Sequence, residues 1–261
     1  MFTTRRILIA AAAAASLLGV AQAQTGPAPG EGAKNVVLVH GAFADGSGWR
    51  GVYDNLTAMG YRVSIVQNPL TSLAEDVAAT RRVIDRQDGP TILVGHSYGG
   101  TVITETGIHP KVTGLVYVSA LAPDVHESTI DQFREFPLSP DLVIEEQSDG
   151  FAFVNGARFK TAFAGDASEA DAAFMRDSQV ATAMSAVKAK VSWAAWRVKP
   201  SWFVIATEDN VINPMLLRQT ARRIGAVTEE IPGSHFVFHT QPKAVADVID
   251  RAARAVGRVK R

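Results

Sequence analysis

The chain has 261 residues, of which 47% are hydrophobic and 20% charged, with 26 basic and 26 acidic side chains and no cysteine. This balance fits a globular domain with a sizeable core and excludes a disordered or membrane-embedded chain. The even charge argues against a nucleic-acid partner, and the lack of cysteine excludes disulfide bonds, a cysteine nucleophile and thiolate metal sites.

The first residues predict an export signal. Arg5 and Arg6 precede an apolar run over residues 7–20, and Ala21-Gln22-Ala23 has the small-x-small pattern of a cleavage site. The run is shorter than the roughly 18 residues that usually span a membrane. We therefore expect residues 1–23 to be a signal peptide, and the mature protein to be periplasmic or secreted and free of the membrane. The two arginines leave both twin-arginine and general secretion open.

Residues 24–33 are rich in glycine and proline and predict a disordered lead-in. Strands and helices then alternate, which predicts an α/β domain over residues 34–261 with a mostly parallel sheet and helices on both faces. Ser72 and Glu75 form a capping box that predicts the start of a helix. The short apolar runs predict six strands, over residues 35–39, 61–66, 91–94, 112–118, 202–206 and 227–231.

Residues 123–199 interrupt this alternation. They contain helical patterns at residues 168–175 and 179–190 but no clear strand. We therefore expect a helical cap, inserted between the fourth and fifth strands of the sheet.

Gly95-His96-Ser97-Tyr98-Gly99 matches G-x-S-x-G, and it follows an apolar strand and precedes a helix. This context indicates a sharp strand-to-helix turn, in which the two glycines let strand and helix approach closely and Ser97 stands clear of the backbone. The positive end of the following helix favours developing negative charge. Ser97 is therefore the predicted nucleophile.

The predicted base is His235, which follows the sixth strand and so lies at the carboxyl edge of the sheet, where ligands bind in open α/β folds. His239 is the alternative. The predicted acid is Asp209, after the fifth strand, with Glu208 as the alternative. The chain order Ser97, Asp209, His235 is that of a nucleophile-acid-base triad, in which Asp209 orients His235 and His235 takes the proton of Ser97.

The turn Val39-His40-Gly41-Ala42-Phe43 follows the first strand and faces the same sheet edge. We expect the N–H of Ala42, with Phe43 as the alternative, and the N–H of Tyr98 to form an oxyanion hole.

These motifs, with Leu115-Val116-Tyr117-Val118-Ser119-Ala120 and Ala206-Thr207-Glu208-Asp209, resemble the α/β-hydrolase superfamily. Within it the chain is similar to the branch of plant methylesterases, salicylate-binding esterases and hydroxynitrile lyases. The resemblance implies a six-stranded core and an esterase that needs no metal or cofactor, with Ser97, Asp209 and His235 as triad and Ala42 and Tyr98 as amide donors. Hydroxynitrile lyases of this branch carry lysine directly after the histidine, where this chain has Phe236, which argues against cyanohydrin cleavage.

The leading functional hypothesis is hydrolysis of a small carboxylic ester through an acyl-Ser97 intermediate. The alternatives are a cofactor-free perhydrolase or haloperoxidase-like enzyme, and a weakly catalytic protein that binds a small hydrophobic ligand. The predicted partner is a small ester, apolar or aromatic, and the sequence indicates no oligomeric state. Aromatic side chains in the predicted cap are candidates to line its pocket: Phe133, Phe136, Phe151, Phe153, Phe159, Phe163, Trp193 and Trp196.

Overall fold

The computed structural model describes residues 32–256. The predicted signal peptide and residues 24–31 of the predicted lead-in lie outside the described residues. Ala33, the last residue of the lead-in, is buried, and its N–H donates to the carbonyl oxygen of Ala253 at 3.0 Å. Ala33 is therefore part of the folded domain. Across residues 32–256, every helix is too short or too polar to cross a membrane.

A six-stranded sheet forms the centre of the domain. Its strand order is β2-β1-β3-β4-β8-β9, and every neighbouring pair is parallel. The predicted six-stranded sheet is thus confirmed. The strands of the described residues are β1 (Asn35–Val39), β2 (Arg62–Val66), β3 (Thr91–His96), β4 (Val112–Val118), β5 (Ile144–Glu146), β6 (Phe151–Val154), β7 (Thr182–Ala183), β8 (Ser201–Ala206) and β9 (Val227–Ile231).

Burial along the strands explains why the sequence predicted the sheet well. Every residue of β1, β3 and β8 is buried, as expected where helices cover both faces of a parallel strand. The edge strand β9 is different, since only Ile231 is buried and the other positions, including Glu229 and Glu230, are exposed. Charged side chains on an edge strand discourage pairing with another chain.

The helices pack in two groups. Helices α1, α8 and α9 contact one another, α2 contacts α3, and both α3 and α9 contact β3 and β4. The α-helices of the described residues are α1 (Arg50–Ala58), α2 (Leu73–Asp85), α3 (Tyr98–Thr106), α4 (Gly156–Phe163), α5 (Glu169–Asp177), α6 (Met184–Lys188), α7 (Pro214–Arg223), α8 (Val237–Thr240) and α9 (Pro242–Ala255). The capping box before α2 forms in part: Ser72 Oγ accepts the N–H of Glu75 at 3.2 Å, but the Glu75 carboxylate contacts Thr71.

The cap lies between β4 and β8, as predicted, but the expectation that it holds no strand is wrong. It contains α4, α5 and α6 together with an antiparallel sheet of order β5-β6-β7. These strands are two to four residues long, too short for a period-two pattern to stand out in the sequence. The predicted helix over residues 179–190 is instead β7 followed directly by the short helix α6.

Candidate active site

Ser97 lies at the turn between β3 and α3. Its φ of 53° and ψ of −124° are strained for a residue with a side chain. The neighbouring glycines make the turn possible, since a Cβ on Gly95 would lie 2.5 Å from the Gly99 carbonyl oxygen, and one on Gly99 would lie 2.7 Å from the His40 carbonyl oxygen. The packing of strand against helix thus keeps Ser97 at the carboxyl edge of the sheet, where it lines a cavity.

Asp209 and His235 form a buried pair at the same edge. Asp209 Oδ2 accepts a hydrogen bond from His235 Nδ1 at 2.7 Å, and both side chains are fully buried. The other carboxylate oxygen accepts the N–H groups of Val211 and Ile212, each at 2.8 Å. Because three donors surround it, the Asp209 carboxylate has a fixed orientation and holds the imidazole with its proton on Nδ1.

The alternatives for acid and base lie elsewhere. The side chain of Glu208 is exposed, and His239 lies 3.6 Å from Asp171. Neither takes part in the Asp209–His235 pair.

The second imidazole nitrogen of His235 is free to accept a proton. Nε2 is buried, and within residues 32–256 it makes no hydrogen bond, including none with Ser97 in this conformation. The ring lies beside that of His96, with ring centroids 4.5 Å apart. Since His96 directly precedes Ser97 in the chain, the imidazole stands next to the strained turn. The hydrogen bond between a catalytic base and its nucleophile is often long without substrate and shortens in the reacting complex.

His96 holds the base-bearing loop against this turn. Its Nε2 is 2.9 Å from the carbonyl oxygen of His235. A carbonyl oxygen only accepts, so the proton of His96 lies on Nε2. Burial lowers the pKa of His96 well below its ordinary value, which keeps the ring neutral. Sequence reasoning gave His96 no role, because its partner lies 139 positions further along the chain.

The turn after β1 packs directly on Ser97. A Cβ on Gly41 would lie 2.8 Å from Ser97 Cβ. The N–H of Asn68 donates to His40 Nε2 at 2.9 Å, so the other nitrogen, Nδ1, carries the proton and donates to the Gly41 carbonyl oxygen at 2.9 Å. In a trans peptide the C=O and the next N–H point in opposite directions. His40 therefore orients the N–H of Ala42.

The two predicted amide donors, Ala42 and Tyr98, both line the cavity with Ser97. The N–H of Phe43, the alternative donor, is occupied, because it donates to Thr182 Oγ1 at 2.9 Å. Tyr98 is the first residue of α3, where an N–H has no acceptor within the helix. The geometry therefore favours Ala42 over Phe43 as the first donor.

The cavity is apolar. Together with the open solvent at its mouth it measures about 530 Å³. None of the described residues that line it is charged. Two hydroxyls in its wall are already engaged, since Tyr98 donates to Asp76 at 2.7 Å and Thr129 bonds to Thr101 at 2.8 Å. Its wall also includes Leu121, Ile130, Phe133, Leu138, Leu142, Ile144, Phe163, Met184, Val187, Val211 and Ile212.

Among the eight aromatic cap residues predicted as candidates, Phe133 and Phe163 line this cavity. Phe153 and Trp193 are exposed, and Phe159 is buried in the core. Most of the other wall residues are aliphatic, and no motif distinguishes these from ordinary core positions.

A buried carboxyl group outside the predicted triad supports the Ser97 turn. Asp76, in α2, accepts the Tyr98 hydroxyl on Oδ2 at 2.7 Å and the N–H of Leu70 on Oδ1 at 2.8 Å. Burial raises the pKa of Asp76 to about 6, although both hydrogen bonds oppose this rise. In sequence Asp76 looks like an ordinary acid in the first turn of a helix, so only the fold reveals its contact with Tyr98.

Comparison with known proteins identifies relatives along most of the chain. A family model described as "Alpha/beta hydrolase family" matches residues 36–248. A pyrethroid hydrolase of Sphingobium wenxiniae is 28% identical over 246 residues, covering 82% of this chain and 86% of the relative.

Two solved structures show the same fold. A crystal structure of a pyrethroid hydrolase superposes with a TM-score of 0.74 at 22% identity, over 85% of this chain and 98% of the other. An extracellular α/β-hydrolase from a Paenibacillus species, described as sharing homology with tobacco salicylic acid binding protein 2, superposes with a TM-score of 0.71 at 20% identity. It covers 85% of this chain and 100% of its own.

Proposed function

Since the chain belongs to the alpha/beta hydrolase family, we propose that it is a serine hydrolase that cleaves carboxylic esters with Ser97, His235 and Asp209 as its triad. The match to the family model confirms the family predicted from the motifs. One observation carries the proposal: in the part of the chain that the structure describes, the buried Asp209–His235 pair leaves His235 Nε2 without a partner beside the strained Ser97 turn. A free base next to a serine hydroxyl is what nucleophilic catalysis by serine requires.

The proposed reaction has two steps. His235 Nε2 takes the proton of Ser97 as the hydroxyl oxygen attacks the ester carbonyl carbon, while Asp209 stabilises the imidazolium. The carbonyl oxygen gains negative charge and is bound by the N–H groups of Ala42 and Tyr98. The alkoxy group then leaves with the proton from His235, which gives acyl-Ser97 and an alcohol. Water attacks the acyl group with His235 again as base, which releases the acid and restores Ser97.

The cavity wall supports an uncharged, apolar substrate. Among residues 32–256, the side chains that line it offer no counter-charge and few free hydrogen-bonding groups, and an unpaired charge is costly to bury. The relative named as a pyrethroid hydrolase supports the same class of ester. We therefore propose a neutral ester with apolar acyl and alcohol parts.

Covalent labelling tests the proposed nucleophile. A fluorophosphonate probe and a neutral aryl ester would be applied to the wild type, Ser97→Ala and Ser148→Ala, in which an exposed serine is replaced. We expect Ser97→Ala to lose labelling and at least about 10³-fold in kcat, and Ser148→Ala to behave as the wild type. Equal labelling of wild type and Ser97→Ala would refute the assignment.

A further inference from the structure

We propose that Thr182, a residue of the cap, is a positioning residue for the oxyanion hole, and that it couples the orientation of the Ala42 N–H to the group that fills the apolar cavity. This inference rests on the proposed function. It concerns how the cap takes part in the reaction, since Thr182 belongs to β7 and not to the central sheet.

Thr182 holds one side of the oxyanion turn, by which we mean residues 39–43 at the end of β1. Its side chain is fully buried, and Oγ1 accepts the N–H of Phe43 at 2.9 Å. Phe43 has a φ of 59°, in the left-handed region that a phenylalanine rarely adopts. A strained conformation persists only where its surroundings impose it, and the hydrogen bond from Phe43 to Thr182 is such a constraint.

The peptide groups on both sides of Ala42 are therefore held by different parts of the protein. His40 binds the Gly41 carbonyl oxygen in the preceding peptide, from within the α/β domain. Thr182 binds the Phe43 N–H in the following peptide, from the cap. Only the two backbone torsions of Ala42 lie between these planar groups. We expect a shift of Thr182 to reach the Ala42 N–H through these two torsions.

The same strand is also linked to the second amide donor. The N–H of Ala183 donates to the Leu70 carbonyl oxygen at 2.8 Å. Leu70 has a φ of 56°, and its own N–H donates to Asp76, which also accepts the Tyr98 hydroxyl. Through these contacts β7 is connected to both residues that are expected to bind the oxyanion.

The segment that carries Thr182 also meets the substrate cavity. Helix α6 begins at Met184, directly after β7, and Met184 and Val187 line the cavity wall. An apolar group in the cavity packs against these two side chains and thus against the segment that holds Phe43. We therefore expect bulky apolar esters to gain in kcat, as well as in binding, through Thr182.

The test compares Thr182→Val, which keeps the side-chain shape but removes the acceptor, with Thr182→Ser, which keeps the hydroxyl. Thr228→Val is the matched control, because Thr228 is exposed on β9 and its hydroxyl donates to the Ala226 carbonyl oxygen, far from the turn that contains Phe43. Kinetics would use two neutral aryl esters, an acetate and an octanoate, together with the rate of fluorophosphonate labelling.

For the octanoate we expect Thr182→Val to lower kcat about tenfold with KM within about twofold, which is less than the 10²–10³-fold cost of removing a donor outright. For the acetate the loss should be clearly smaller. Thr182→Ser should recover kcat to within about threefold of the wild type, labelling rates should fall in parallel with kcat, and Thr228→Val should match the wild type.

Equal losses for the two esters, a change in KM alone, or no recovery in Thr182→Ser would overturn the inference. If Thr182→Val does not fold, Met184→Ala provides a second measurement. We expect this variant to have a smaller difference in kcat between the octanoate and the acetate than the wild type has. An unchanged difference would also overturn the inference. Failure of the proposed function is distinguishable, since the wild type would then not be labelled at Ser97.

Discussion

Replacing Gly41 with alanine tests whether the oxyanion turn must touch Ser97. The φ of Gly41 lies outside the left-handed region, so the backbone itself accepts alanine. The added Cβ, however, would lie 2.8 Å from Ser97 Cβ and 3.1 Å from the His96 carbonyl oxygen. Carbon atoms in contact are normally about 3.5–4.0 Å apart. The turn and the Ser97 backbone must therefore separate by about 1 Å.

That displacement predicts a large loss of activity. A misplacement of about 1 Å in a catalytic site costs on the order of 10²-fold in rate, so we expect Gly41→Ala to lower kcat for a neutral aryl ester about 100-fold. Overpacking at this buried contact should also lower the free energy of unfolding by about 1–3 kcal/mol. Both quantities are measurable on purified protein, by steady-state kinetics and by urea unfolding.

Gly89→Ala is the matched control. The Cβ added there would meet Asn35 Nδ2 at 3.9 Å, an ordinary contact. Both variants reduce the freedom of the unfolded chain in the same way, so their difference isolates the clash with Ser97. We expect Gly89→Ala to keep kcat within about twofold. A Gly41→Ala variant with wild-type kcat would show that close packing of the turn on Ser97 is not needed for catalysis, and the reasoning would be wrong.

Two further predictions concern buried carboxyl groups. Asp209→Asn should lower kcat by about 10³–10⁴-fold, because an amide no longer fixes the tautomer of His235. Glu208→Gln, at an exposed position, should leave kcat unchanged. Comparable losses of kcat in the two variants would contradict the assignment of Asp209. The pKa of Asp76 is raised from 3.8 to about 6, so the folded protein binds the proton of the Asp76 carboxyl more tightly than the unfolded chain does. The folding stability that this protonation contributes is therefore full below about pH 4 and is lost as pH rises through 6. Urea unfolding should show the stability of the wild type relative to Asp76→Asn falling by up to roughly 3 kcal/mol across that range, and a pH-independent difference would refute this.

The sequence predicted those features that depend on short, continuous patterns. The strand before Ser97 is an unbroken apolar run, and Gly95 is required by its contacts with Gly99 and Gly100, only a few residues away. Asp209 and His235 could be located because each follows a recognisable strand.

Features that depend on contacts between distant residues could not be predicted in this way. The bond between Phe43 and Thr182 joins residues 139 positions apart, and Asp76 meets Tyr98 only because α2 packs against α3. The cap strands are too short to leave a periodic signal. Most of the cavity wall is built from aliphatic residues, whose type is the same whether they face a ligand or the core.

The uncharged wall of the cavity has a consequence for turnover. Ester hydrolysis converts a neutral molecule into a carboxylic acid, which is ionised at neutral pH. Apart from the N–H groups of Ala42 and Tyr98, the described residues of the wall offer that new anion no cation and few free donors, and a carboxylate without a counter-charge is costly to bury. The side chains of the wall therefore favour the neutral ester over the ionised acid made from it, which favours release of the product into solvent.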